Sequence, residues 1–212
     1  MIKQNKLKLL ISSVIILLPI VVGGILWSRL PEQLAVHWGT DGTADNFSSK
    51  AFVVIGLPLI LLLLHWVCVL VTAKDPKNKN QNRKVFGLVL WICPVLSLFT
   101  SAVIYTTALG FEPKVSNIAL ALIGIMFLCI GNYLPKCKQN STIGIKVKWA
   151  LQNEANWNAT HRFGGKVWVA GGLALVICAF LPQAVIPWIS IAVLVIIAAL
   201  PVIYSYKYYK NN

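Results

Sequence analysis

The sequence predicts an all-α polytopic membrane protein with six transmembrane helices and both termini in the cytoplasm. Three observations carry this: the apolar content, the length and number of apolar runs, and the placement of basic residues. Of 212 residues, 58% are hydrophobic and only 12% are charged, with a mean hydropathy of +0.74. A soluble domain carries about 25% charged residues. An ordinary water-soluble enzyme is therefore excluded, and so is a disordered chain, which could not be this apolar. Six spans of about 20 residues use about 120 positions. Function must then reside in the bundle or in a few short loops.

The apolar runs are 7–27, 52–72, 85–108, 117–134, 167–182 and 187–206. The first follows Lys3 and Lys6, carries Lys8 at its start and is not followed by a small-residue cleavage site, so it reads as an uncleaved span. Pro19, Pro58, Pro94 and Pro201 lie within spans, where neighbouring helices can satisfy the backbone groups a proline frees. Gly23 and Gly24, and Ala170, Gly171 and Gly172, mark close helix packing. A short outer turn at 183–187 joins the last two spans. Trp27, Trp38, Tyr133, Trp188, Tyr204, Tyr206, Tyr208 and Tyr209 gather at span ends as an interfacial belt. The expected organisation is an N-terminal half, 1–116, and a C-terminal half, 117–212, without internal repeat.

Assigning alternate sides to the connecting segments puts 16 of the 19 basic residues on one side, leaving Arg29, Lys50 and Lys114 on the other. Positive residues stay in the cytoplasm, which fixes the orientation. Glu32, Asp41, Asp45 and Glu112 lie outside, Asp75 and Glu154 inside. The net charge of +13 is thus a topology signal and a contact for anionic membrane lipids, with no direct nucleic-acid binding expected. Cys68, Cys93, Cys129 and Cys178 fall in apolar runs and Cys137 faces the cytoplasm, so neither a disulfide framework nor a zinc or redox site is expected.

No Asp, Glu, Lys or Arg lies deep in a span, and His65 is the notable titratable group there. Its preferred reading is a neutral histidine hydrogen-bonded to another helix; the alternative is a proton relay or ligand contact. A transporter of a solute or toxin would line its path with His65, Thr72, Ser97, Thr100, Ser101, Thr106 and Thr107, a thin set.

Two loops hold the information. In the outer loop, 28–50, Leu34, Val36 and Trp38 alternate with polar residues and predict an extended segment. Asp41 and Gly42 signal a tight turn, and Ser48 or Ser49 can cap the second span. His37, Asp41 and Asp45 match no metal-ligand spacing and read as a hydrogen-bond network with Lys50 as counter-charge. In the inner loop, 135–166, Asn153 can cap a helix and Glu154 suits its positive end. Trp157, Thr160, His161 and Gly164 then share one face. This is either a short interfacial helix resting its tryptophan at the headgroups or a docking surface for a cytoplasmic protein, and the two are compatible. No catalytic set or cofactor motif occurs, so neither enzyme activity nor a cofactor is expected.

At these loops the chain resembles the SdpI family of bacterial immunity proteins. The outer match is carried by Leu30, Pro31, His37, Trp38, Gly42 and Lys50. The inner match is carried by the run Gly131 to Pro135 and by Asn140, Gly144, Ile145, Trp149, Leu151, Trp157, Thr160, His161 and Gly165. The resemblance implies a multi-pass protein of the bacterial plasma membrane that protects its cell from a secreted killing peptide. It also implies a receptor that holds a winged-helix repressor at the membrane. On this reading His37, Trp38, Gly42, Asp45 and Lys50 serve the toxin side. Asn140, Gly144, Lys146, Trp149, Trp157, Thr160, His161 and Arg162 serve the cytoplasmic partner. The chain departs from the family's Gly-Ile-Arg-Thr-Pro-Trp at Gly144, Ile145, Lys146, Val147, Lys148 and Trp149, where a lysine point charge replaces arginine's fork.

Overall fold

Long apolar runs become helices in lipid because every backbone polar group must be paired within its own segment. The computed structural model, which describes residues 2–39 and 41–212, has six long helices: α1 (Lys6–Ile25), α2 (Leu57–Lys74), α3 (Arg83–Ala108), α4 (Val115–Tyr133), α6 (Glu154–Cys178) and α7 (Ile186–Asn211). Each overlaps one predicted span. Two short strands, β1 (Gln33–Trp38) and β2 (Ala44–Ser49), follow α1, and a one-turn helix α5 (Lys148–Gln152) precedes α6. α1, α2 with its preceding turn, α3, α4 with the turn after it, and α7 are long and apolar enough to cross a bilayer. α6 falls short of that measure because its first half is polar. Residues 154–166 extend an apolar stretch that begins near Val167, giving one continuous helix where a separate short helix was expected.

The chain packs as two compact units, one of Met1–Ala73 and Gly87–Val115 and one of Lys74–Phe86 and Ser116–Asn212.

In the first unit, α3 supplies hydroxyls to α1 around its internal proline. Ser97 Oγ donates to Ile16 O at 2.8 Å and the Tyr105 hydroxyl donates to Pro19 O at 3.0 Å. His65 of α2 meets Ser12 of α1 at 3.0 Å, and Ser12 Oγ also donates to Leu9 O. The serine has one proton, so the ring's Nε2–H donates to Ser12. Thr100 and Thr106 donate to carbonyls of their own helix. Several polar side chains of the thin lining are therefore engaged in helix packing or helix backbone. Before Pro58, which lacks a donor, the helix widens into a π turn over Phe52–Gly56, where Leu57 N reaches back to Phe52 O.

In the second unit, α4 and α6 meet backbone to backbone through glycines seven residues apart on each helix. A Cβ at Gly124 would lie 2.7 Å from Gly172 O, and one at Gly165 would lie 2.8 Å from Gly131 O. The pair runs antiparallel, and a seven-residue repeat keeps one seam facing the partner. Asn117 Nδ2 donates to Ala179 O at 2.7 Å and pins the start of α4 to the end of α6. Leu120, Leu175, Cys178, Ala179, Ile186 and Ile197 form the apolar core beside this seam.

Candidate functional site

The outer hairpin belongs to the first unit. β1 and β2 pair antiparallel, with Ala35 opposite Phe47, His37 opposite Asn46 and Trp38 opposite Ala44. One irregularity leaves Val36 extra on β1, and a second leaves Asp45 extra on β2. Such bulges re-aim side chains. Asp45 thereby reaches His37, with Oδ1 2.6 Å from Nδ1, and both side chains are exposed. In the connecting loop Gly39 N donates to Thr43 O, and Gly42 has φ 79°, a left-handed conformation that favours glycine. The Asp41 carboxylate accepts from the Thr43 amide and hydroxyl, and these bonds hold its pKa below the usual aspartate range. The hairpin is seated on helix ends by Leu30, Leu34, Val53, Val54, Ile104 and Tyr105, with Trp38 partly buried against them.

Lys50 behaves differently from the expectation. Its ammonium turns inward and donates to Trp27 O at 3.2 Å, Leu30 O at 3.1 Å and Glu32 Oε1 at 2.8 Å, with the Trp27 ring 5.1 Å away. It is no counter-charge to His37, Asp41 and Asp45. Carbonyls of the turn that follows α1 hold it there. Ser49 Oγ accepts from Phe52 N at 3.4 Å, which settles the choice of capping serine. The exposed side chains of the hairpin therefore include His37, Asp45 and Phe47, with Asn46 beside them. Phe47 was missed: an isolated aromatic in the polar run 44–49 gives no periodic signal.

The inner loop belongs to the second unit and is a folded module. Asn140 is fully buried and organises the turn around it. Its Nδ2 donates to Lys138 O and Ile143 O, and its Oδ1 accepts from the Thr142 and Ile143 amides. Gly144 has φ 112°, and a Cβ there would collide with His161 Nε2. Ile145 N donates to that same nitrogen at 3.0 Å, while His161 Nδ1 donates to Trp157 O at 2.8 Å. The Trp157 and His161 rings stack at 3.9 Å, and Trp157 Nε1 donates to Cys137 O at 2.8 Å. Burial pushes the His161 pKa down to about 4 and the Cys137 thiol up to about 11. Both groups are thus neutral at cytoplasmic pH, and both His161 nitrogens are engaged.

Trp157, Thr160 and His161 are all buried. Trp157 does not rest at the headgroups, because the turn 137–145 folds over it and takes its indole proton. Thr160 donates to Asn156 Oδ1, which also accepts from Ser205 Oγ of α7. The exposed members of the expected partner set are Lys146 and Arg162, with Trp149 half-buried. Asn153 caps α6 as its position predicts, accepting from Asn156 N at 2.9 Å.

Sequence reasoning missed the segment that braces this module. Asp75 Oδ2 accepts from Ser141 N, Asn78 donates to Thr142, and Gln81 exchanges two bonds with the Lys138 backbone. These partners lie 57 to 66 positions apart and leave no local pattern. Among the described residues no group of three His, Cys, Asp or Glu side chains is placed to hold a metal ion. The two loops present a small polar and aromatic face outside and a basic and aromatic face inside.

The sequence pattern of the SdpI/YfhL protein family matches residues 136–205, which cover the inner module and most of α6 and α7. The pattern of a domain of unknown function, DUF1648, matches residues 14–62, which include the outer hairpin. Immunity protein SdpI of Bacillus subtilis (strain 168) is 28% identical over 205 residues, covering 96% of this chain and 97% of that protein. No solved structure matches. Multiple apolar helices, the two patterns in sequence order and a relative aligned along nearly its whole length lead to one assignment: the chain is a multi-pass membrane protein, similar along nearly its whole length to an immunity protein and carrying the SdpI/YfhL pattern over residues 136–205.

Proposed function

We propose that this protein is an integral immunity protein of the bacterial plasma membrane, protecting its cell from a secreted killing peptide. The observation that carries the reading is the near full-length similarity to an immunity protein. The physical picture agrees with it. His37, Asp45 and Phe47 are exposed on the outer hairpin and are the residues that meet the peptide, while Trp38, Gly42 and Lys50 hold the hairpin in shape. On the inner side, Lys146, Trp149 and Arg162 offer a basic and aromatic surface to a cytoplasmic winged-helix repressor. Asn140, Gly144, Trp157, Thr160 and His161 keep that surface folded.

The test is survival. The chain is expressed in a bacterium that is sensitive to the killing peptide and lacks an immunity gene, with membrane abundance verified against an empty-vector control. Survival under peptide challenge is expected. Death at normal abundance, with peptides from both the source strain and related systems, contradicts the reading.

A further inference from the structure

The inner end of α7 carries a feature that peptide immunity does not use and that shares only Lys146 and Trp149 with the proposed repressor surface. The Trp149 ring of α5 lies 5.0 Å from the Tyr206 ring and 6.3 Å from the Tyr209 ring of α7. Lys210 Nζ sits 5.9 Å from the centre of the Tyr206 ring. Tyr206 and Tyr209 are exposed, and Lys146, Lys148, Lys207 and Lys210 are exposed on the same two segments. Among the described residues no carboxylate pairs with any of these four lysines, and residues 116–212 contain a single acid, Glu154.

The position gives the patch a partner. α7 is apolar up to Ile203 and then turns to tyrosine and lysine, the composition of a helix passing from hydrocarbon into the headgroup layer. An aromatic cluster at that depth packs on glycerol and upper acyl carbons, and unpaired lysines beside it attract phosphate. We infer that Trp149, Tyr206 and Tyr209, with Lys146, Lys148, Lys207 and Lys210, form a binding site for the headgroup of an anionic phospholipid of the cytoplasmic leaflet. α5, held to α6 and α7, is the element that completes it. The lipid anchors α5, and through it the inner module, to the membrane surface.

The proposal differs from a diffuse attraction between a basic protein and an acidic membrane, and the test separates the two. The full chain in neutral detergent is titrated with phosphatidylglycerol, with phosphatidylcholine and with soluble glycerol phosphate, and bound lipid is counted by native mass spectrometry. One variant carries K146Q, K148Q, K207Q and K210Q; a control removes the same charge through K3Q, K6Q, K77Q and K79Q. Each lysine at the surface contributes about fivefold in affinity for anionic lipid, so losing even part of the set weakens phosphatidylglycerol binding by at least about tenfold. The control variant should bind as the parent does, and W149A should weaken phosphatidylglycerol without changing net charge. Equal loss in the charge control, no preference for phosphatidylglycerol over phosphatidylcholine, or glycerol phosphate bound as tightly as the lipid would each overturn the site. Thermal unfolding of each variant in the same detergent verifies that it is folded.

Discussion

His161 shows how much a single neutral ring determines. It donates through Nδ1 to Trp157 O and accepts through Nε2 from Ile145 N, so a second proton would set one N–H against another. Its pKa falls from 6.5 in the unfolded chain to about 4 in the folded one. Between those values the unfolded chain binds the extra proton and the folded one does not, so stability is complete above pH 6.5 and declines as pH falls toward 4. The linkage is worth about 3 kcal/mol. Melting temperatures of the purified protein across this window should fall with pH, and H161Q should flatten the decline; an unchanged slope in H161Q would refute the assignment. Lys50 teaches the complementary point. A lysine in a polar loop reads as a surface counter-charge, yet its three donors find a carboxylate and carbonyls of the turn after α1. Composition gave no hint of this, because the acceptors are backbone atoms.

At the scale of elements, the α4–α6 seam depends on glycine at four positions. The Cβ of an alanine at Gly124 would press on Gly172 O, a backbone atom that cannot turn aside, whereas one at Gly24 or Gly87 would meet nothing within 4 Å. G124A should therefore lower stability by about 1–3 kcal/mol, and G24A and G87A should be neutral or mildly stabilising. Detergent-solubilised melts of the three variants check this, and similar losses in all three would contradict the seam. The span helices were legible because apolar runs of that length have one solution in lipid. β1 was legible from its alternation. β2 was not, since the run Ala44 to Ser49 has no β-branched residue and no apolar period. The junction of the inner loop with α6 was hidden for another reason: residues 154–166 read as a surface helix, but Asn156, Thr160 and His161 are paired inside the protein.

For the whole molecule, the sequence places the two informative loops on opposite sides of the bilayer through lysine and arginine bias alone. Within each loop it identified the residues but not their division into surface and support. Of the inner set, Trp157, Thr160 and His161 are interior, and Asp75, Asn78 and Gln81 brace the fold from a distant segment. On the outer side His37, Asp45 and Phe47 are exposed on the hairpin strands, with Asn46 beside them. The most direct measurement is a survival curve against the killing peptide for the parent chain, for H37A/F47A and for K146Q/R162Q, at matched membrane abundance. The account predicts that H37A/F47A shifts the curve to much lower peptide concentration while K146Q/R162Q stays with the parent. Full protection by H37A/F47A, or equal loss in both variants, would contradict peptide recognition by the outer hairpin.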